Sequence, residues 1–358
     1  MKAYQDMNQE ELKTLHQELL KQYQAMKDLH LQLNMARGKP DFSQIQLSMP
    51  MLDTINSHYD FSNQKDYCNY GILDGINEAK QFFANMLMTT SEHIIVYGNS
   101  SLTIMFDQIS RGYTHGYLGN TPWCRLDKIK FLCPVPGYDR HFAITEHFGF
   151  EMIPIPMDEN GPDMDLVEKY VQEDETVKGI WCVPQYSNPS GITYSDKVVD
   201  RFAHLKPAAK DFRIFWDNAY VVHHLYADKQ SHVKDILKAC KDAGNPDMVF
   251  EFCSTSKVTF PGAGVAAMAT SLNNKKDSLK HMSIQSIGHD KLNQLRHAQY
   301  FHNVESLTQH MEKQADVLKP KFEMVIDIFN RELADLKIGK WTKPLGGYFI
   351  TFEALEDC

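Results

Sequence analysis

Four polar positions, each just behind an apolar run, are the first candidates for chemistry. Gly98-Asn99-Ser100-Ser101 follows the run at 93–97, Asn188 follows 178–183, Asp217 follows 212–216, and Lys257 follows 248–253. Backbone N–H groups and hydroxyls at a turn that opens a helix make an anion site, although a plain serine cap has the same residues. Asn188-Pro189-Ser190-Gly191 is turn chemistry, with or without a further role. Asp217 suits a helix cap, a salt bridge or a catalytic carboxylate. Lys257 stands among hydroxyls in Ser254-Thr255-Ser256-Lys257, whereas most lysines are solvated surface groups. Spacing joins them: 29 residues separate Asn188 from Asp217 and 40 separate Asp217 from Lys257, each about one strand–helix–strand unit.

The elements that must position these groups follow from the apolar pattern. Short runs at 93–97, 129–133, 151–155, 178–183, 212–216, 248–253 and 264–269 predict strands, and most are separated by helix-like segments at 101–111, 138–149, 163–173, 195–206 and 231–243. That alternation implies an α/β protein with a mainly parallel sheet covered on both faces. In such sheets ligands bind beyond the carboxyl ends of the strands, which is where the four positions fall. A helix is predicted over 8–30, with Asn8 and Glu11 as a capping box, another over 75–90, and long helices over 288–335. The segment 34–43 predicts an extended stretch with turn residues, and GGYFITFE at 346–353 a final strand.

Composition excludes several classes. With 37 Lys+Arg against 46 Asp+Glu the net charge is -9, which argues against nucleic acid or an anionic membrane as partner. No run of 18 apolar residues predicts a membrane span, and the amino terminus does not read as a signal peptide. Seven cysteines without a CxxC pair predict a reduced, cytoplasmic protein.

Seven motifs in order carry a resemblance. They are Asn34-Met35-Ala36-Arg37-Gly38-Lys39-Pro40, Tyr70-Gly71-Ile72-Leu73-Asp74-Gly75, Gly98-Asn99-Ser100-Ser101, Pro136-Gly137-Tyr138, Asn188-Pro189-Ser190-Gly191, Asp217-Asn218-Ala219-Tyr220 and Ser254-Thr255-Ser256-Lys257. Together they resemble the fold-type I pyridoxal 5'-phosphate (PLP) enzymes, class I/II aminotransferases, and most of all a bacterial aspartate-aminotransferase-like branch.

The resemblance implies a seven-stranded, mainly parallel sheet in a large PLP-binding domain over 56–287, with a small α+β domain from 1–55 and 288–358. It implies that Lys257 forms the Schiff base with the cofactor and then moves the proton, that Asp217 pairs with the pyridine nitrogen, and that Asn188 and Tyr220 bond the 3′ oxygen. Tyr138 stacks on the ring. Asn99, Ser100, Ser101, Ser254 and Ser256 hold the phosphate, joined by Tyr70 from the neighbouring subunit of a homodimer. Gly38 belongs to a loop that closes over substrate, with Asn188 also at the substrate. The implied reaction moves an amino group from an amino acid, such as aspartate, to a 2-oxo acid such as 2-oxoglutarate. A β-lyase, racemase or decarboxylase of the same fold, or a truncated non-catalytic PLP-binding protein, are the alternatives.

Two departures from the family pattern stand out. No arginine occurs in Val258-Thr259-Phe260-Pro261-Gly262-Ala263-Gly264-Val265, where many relatives place one for the phosphate. The chain also stops at Cys358, and the resemblance expects further small-domain residues, including an arginine for the substrate α-carboxylate. His223-His224 does not suggest a metal, and Arg296 reads as a surface helix arginine or a partner for an acidic substrate.

Overall fold

The computed structural model describes residues 2–33, 38–62 and 66–355. Asn34, Met35, Ala36 and Arg37 of the first motif, and the chain end at Cys358, lie outside the described residues. Eight strands form one sheet: β1 (Ile94–Val96), β2 (Lys130–Val135), β3 (Glu151–Asp158), β4 (Gly161–Pro162), β5 (Val177–Cys182), β6 (Arg213–Asp217), β7 (Val249–Ser254) and β8 (Ala266–Thr270). Their order is β1-β8-β7-β6-β5-β2-β3-β4. From β7 through β6, β5 and β2 to β3 the pairing is parallel. The seven expected strands are present, and the two-residue β4 adds a short antiparallel edge to β3. Every residue of β5, β6, β7 and β8 is buried, because helices cover both faces and leave no solvent side for alternation.

Direction puts the polar ends together. β8 is antiparallel to both β7 and β1, so two reversals give β1 the same direction as β7. The carboxyl ends of β1, β5, β6 and β7 therefore share one edge of the sheet, the place where ligands bind in open α/β sheets. Backbone bonds continue the pairing past the strands: Ala266 N donates to Gly98 O at 2.7 Å and Thr255 N to Val265 O at 2.8 Å.

The helices are α1 (Gln9–Asp28), α2 (Phe42–Ser48), α3 (Asn77–Met86), α4 (Ser101–His115), α5 (Asp139–His147), α6 (Met164–Glu173), α7 (Asp196–Ala203), α8 (Ile236–Asp242), α9 (Leu272–Gln285), α10 (Lys291–Tyr300) and α11 (Val304–Glu332). On one face Ile214 and Trp216 pack with Val199, Phe202 and Ile236. On the other, Phe215 and Phe250 pack with Ile104, Met105 and Trp123. Each large apolar side chain buried this way contributes about 1.5–3 kcal/mol.

Three segments differ from the sequence-based expectation. Helix α9 was not anticipated: its sequence, LNNKKDSLKHMSIQ, is too polar to show an apolar face, and the Ser271 cap, which accepts from Asn274 N, starts it. Asp41, read as part of a turn, caps α2 through a reciprocal bond with Gln44. Of GGYFITFE only Phe352 and Glu353 are in a strand, β10 (Phe352–Ala354), antiparallel to β9 (Gly339–Trp341). The rest leaves strand geometry because Gly346 and Gly347 let the backbone press on Tyr186: a Cβ at Gly346 would lie 2.2 Å from Tyr186 Cε2, and Gly347 has φ +78. That detour packs Tyr348 and Phe349 against Tyr220.

Helix α1 has the predicted capping box at Asn8 and Glu11 but buries none of its residues. Its apolar stripe, including Leu20, Tyr23 and Met26, is exposed.

Candidate active site

Asp217 ends β6 and is buried. Its Oδ2 lies 3.1 Å from His141 Nε2, and His141 is itself buried on α5, stacked on Trp181 with ring centroids 4.7 Å apart. Its Oδ1 is buried and has no hydrogen-bond partner among the described residues. An unpaired buried carboxylate oxygen is costly, so a donor that arrives from outside is strongly favoured there.

Lys257 sits just past β7, with its Nζ 4.8 Å from the centroid of the Tyr220 ring. Burial pushes its amine below the ordinary lysine value, and the Asp217 charge pulls part of the way back. Desolvation of this kind raises the neutral, nucleophilic fraction of an amine. Tyr220 is buried, and burial, with Asp217, Tyr138 and Tyr348 nearby, raises its phenol well above the ordinary range. It stays a neutral hydrogen-bonding group. Tyr138 precedes α5, meets His141 edge-on with centroids 4.9 Å apart, and packs with Val183, Tyr186 and Tyr220.

Asn188 lies in a turn after β5 that is closed by Gly191 N donating to Ser187 O at 2.7 Å. That turn is held against the carboxyl-terminal segment, since Thr351 Oγ1 donates to Pro189 O at 2.7 Å. The hydroxyl of Ser190 is buried and unpaired.

The residues expected at the phosphate lie in a cup where Ser256 meets Asn99, with Ser100 and Ser101 next in the chain. Ser254 Oγ donates to Ser256 Oγ at 3.0 Å, and Ser256 Oγ lies 3.2 Å from Asn99 O. Ser100 occupies the cap position of α4 without making a side-chain cap bond, and Ser101 opens the helix. The serine hydroxyl at 100 is thus not spent on capping, in contrast to Ser195 on α7 and Ser271 on α9.

Tyr70 stands apart from these groups, 82% exposed, with its carbonyl accepting from Lys291 Nζ. Gly38 abuts the segment that covers Tyr220: a Cβ there would lie 2.8 Å from Phe349 Cζ. His141 was missed in the sequence because a lone histidine on a helix carries no motif. Only its packing places it behind Asp217. Tyr348 was missed because GGYFITFE reads as a strand. His223 is buried with both ring nitrogens unpaired, and burial with Lys257 nearby lowers it to about 3, so it is neutral. No metal-ligating cluster occurs among the described residues.

Against known proteins, residues 7–358 match the family model for aspartate amino-transferase. An aspartate aminotransferase of Corynebacterium glutamicum is 43% identical over 356 residues, covering 99% of this chain and 82% of that protein. The chain belongs to the aspartate amino-transferase family. A crystal structure of an aspartate transaminase from the same organism, 42% identical, superposes with a TM-score of 0.94 over 99% of this chain and 83% of that one. A more distant fold relative is the α-aminoadipate aminotransferase LysN of Thermus thermophilus, 18% identical, TM-score 0.69, covering 90% and 76% of the two chains. It was crystallised with N-(5'-phosphopyridoxyl)-L-leucine.

PLP is the cofactor that the motifs of this sequence imply. The chain's residues fit that cofactor: the unpaired Asp217 Oδ1 lacks a donor of the kind a protonated ring nitrogen supplies, and the hydroxyl cup suits a phosphate ester.

Proposed function

We propose that the enzyme transfers the amino group of aspartate, or a closely similar acidic amino acid, to a 2-oxo acid such as 2-oxoglutarate. The observation behind this is a desolvated amine, Lys257, set over Tyr220 and beside the half-paired Asp217, in a chain 43% identical to an aspartate aminotransferase. When bound, PLP supplies an electron sink for the α-carbon of an amino acid.

The chain's own groups divide the remaining work. Lys257 would hold the cofactor and would carry the proton at the substrate α-carbon with its amine. Asp217 keeps the ring nitrogen protonated, and His141 holds Asp217 in place. Asn188 and Tyr220 would hold the cofactor's 3′ oxygen, and Tyr138 would pack against its ring. Asn99, Ser100, Ser101, Ser254 and Ser256 bind the phosphate. Gly38 and Asn188 meet the substrate, under a cover to which Tyr348 and Phe349 belong.

The working unit is a homodimer in this proposal. Tyr70, exposed here, would reach the partner's phosphate, and the uncovered stripe of α1 gives a second reason for association. Residues 56–287 make the large domain, and 1–55 with 288–358 the small one. No helix among the described residues is long and apolar enough to cross a membrane. Free cysteines at 133, 182, 240 and 253, all buried, fit a cytoplasmic enzyme.

Mixing the PLP-loaded protein with aspartate, and separately with leucine, tests the substrate. Aspartate is expected to discharge the visible band of the bound cofactor, and 2-oxoglutarate to restore it. Equal response to both amino acids would remove the acidic donor from the proposal.

A further inference from the structure

A phosphate ester is dianionic near neutral pH, yet the cup of Asn99, Ser100, Ser101, Ser254 and Ser256 contains no cation, and neither does the stretch 258–265. Besides Lys257, a second basic side chain borders it among the described residues. Arg296 lies on α10 and lines a cavity of about 370 Å³ with Gly98, Asn99, Gly262, Gly264 and Asn293. Two bonds tie α10 to the glycine-bearing loop, from Asn293 Nδ2 to Ala263 O at 3.1 Å and to Gly264 O at 2.9 Å. Two more tie the cavity wall to the cup: Asn99 Nδ2 donates to Gly262 O at 3.4 Å, and Ser256 Oγ lies 3.2 Å from Asn99 O.

The guanidinium itself is poorly served. Its Nε is buried without a partner, and Nη1 has only a 3.5 Å contact with Asn293 Oδ1. Among the described residues it makes no ion pair. The carboxylate in the same cavity, Asp290, uses Oδ1 to cap α10 through Asn293 N at 2.9 Å. A planar fork of N–H donors with unmet hydrogen bonds, facing a cavity that shares Asn99 with the hydroxyl cup, matches the oxygens of a phosphate.

We propose that Arg296 supplies the cation for the cofactor phosphate, entering from α10 instead of from the segment after Lys257. This rests on the PLP site described above. Gly262 fits such an arrangement, since a Cβ there would meet nothing within 4 Å and its absence leaves room for a long side chain from the neighbouring helix.

The test strips cofactor from wild type, Arg296→Gln and Arg296→Lys, then titrates each with PLP and with pyridoxal, which lacks the phosphate, following the visible band. Loss of a charged hydrogen-bond partner predicts PLP binding weaker by about 10- to 100-fold in Arg296→Gln, with partial recovery in Arg296→Lys. Pyridoxal should bind all three alike. Phosphorus NMR of the bound cofactor should shift in Arg296→Gln. If that variant does not fold, Arg296→Met, which keeps the aliphatic stem, takes its place. Equal weakening of PLP and pyridoxal, or unchanged PLP binding, would overturn the assignment. Unchanged PLP binding with a raised KM for dicarboxylates would give Arg296 to the substrate instead. A wild type that takes up no PLP would refute the cofactor site itself, a failure distinct from a loaded wild type and an equally loaded Arg296→Gln.

Discussion

Asp217 works as a pair of oxygens with separate duties. One is held by His141 at 3.1 Å, and the other is left without a partner in the buried interior. Asp217→Asn keeps the shape and removes the charge that would stabilise a protonated ring nitrogen. Its expected cost is roughly 100-fold or more in kcat, by analogy with loss of one preorganised electrostatic group, with little change in thermal unfolding. His141→Leu leaves Asp217 fixed by neither side. A fall in kcat of roughly tenfold or more is expected, together with a measurable loss of stability to urea. Wild-type kinetics in either variant would remove that residue from the site. The sequence disclosed Asp217 and Lys257 because each follows an apolar run at unit spacing. His141 and Tyr348 were invisible, since their roles come from stacking on Trp181 and from the detour at Gly346–Gly347, neither of which leaves a local pattern.

At the scale of elements, β7 carries an ionisable side chain where none is expected. Glu251 is buried between Trp216 and Ala269 of the neighbouring strands, its carboxyl accepts from Asn218 Nδ2 at 3.0 Å, and burial pushes that carboxyl up to about 8. A folded pKa above the unfolded value of 4.5 means that the folded chain holds the extra proton. That stability is complete below about 4.5 and is lost as pH rises through about 8. Glu251→Gln should therefore resist urea better than wild type at pH 8 and gain much less at pH 5. A gain equal at both values would contradict the buried protonated state.

A second element-level device fixes the residue after Lys257. Val258 O accepts from His310 Nε2 at 2.8 Å and Gln314 Nε2 at 3.2 Å, both on α11, and from Ser48 Oγ of α2 at 3.4 Å. Strands read correctly from sequence because buried parallel strands are near-continuous apolar runs. Helix α9 did not, because its polar sequence is held by a cap and by tertiary contacts more than by an apolar face.

On the scale of the whole molecule, the site is shared between distant segments: Gly38 and Phe349 touch, and Gln44 Nε2 donates to Tyr348 OH at 2.9 Å. No sequence periodicity reports such contacts. If Tyr70 completes the partner's site, two defective chains should complement one another. Mixed and re-associated Lys257→Ala and Tyr70→Ala proteins are expected to recover about a quarter of wild-type activity, because half of the dimers hold one intact site. No recovery in confirmed hybrids would confine Tyr70 to its own chain.

The central claim is that Lys257 is the amine that holds the cofactor. Its most direct test loads the protein with PLP, reduces it with borohydride to fix any imine, and maps the modified peptide by mass spectrometry. The expected result is one pyridoxyl group per chain, on Lys257. Label on another lysine, or no label on a folded and loaded protein, would contradict the account.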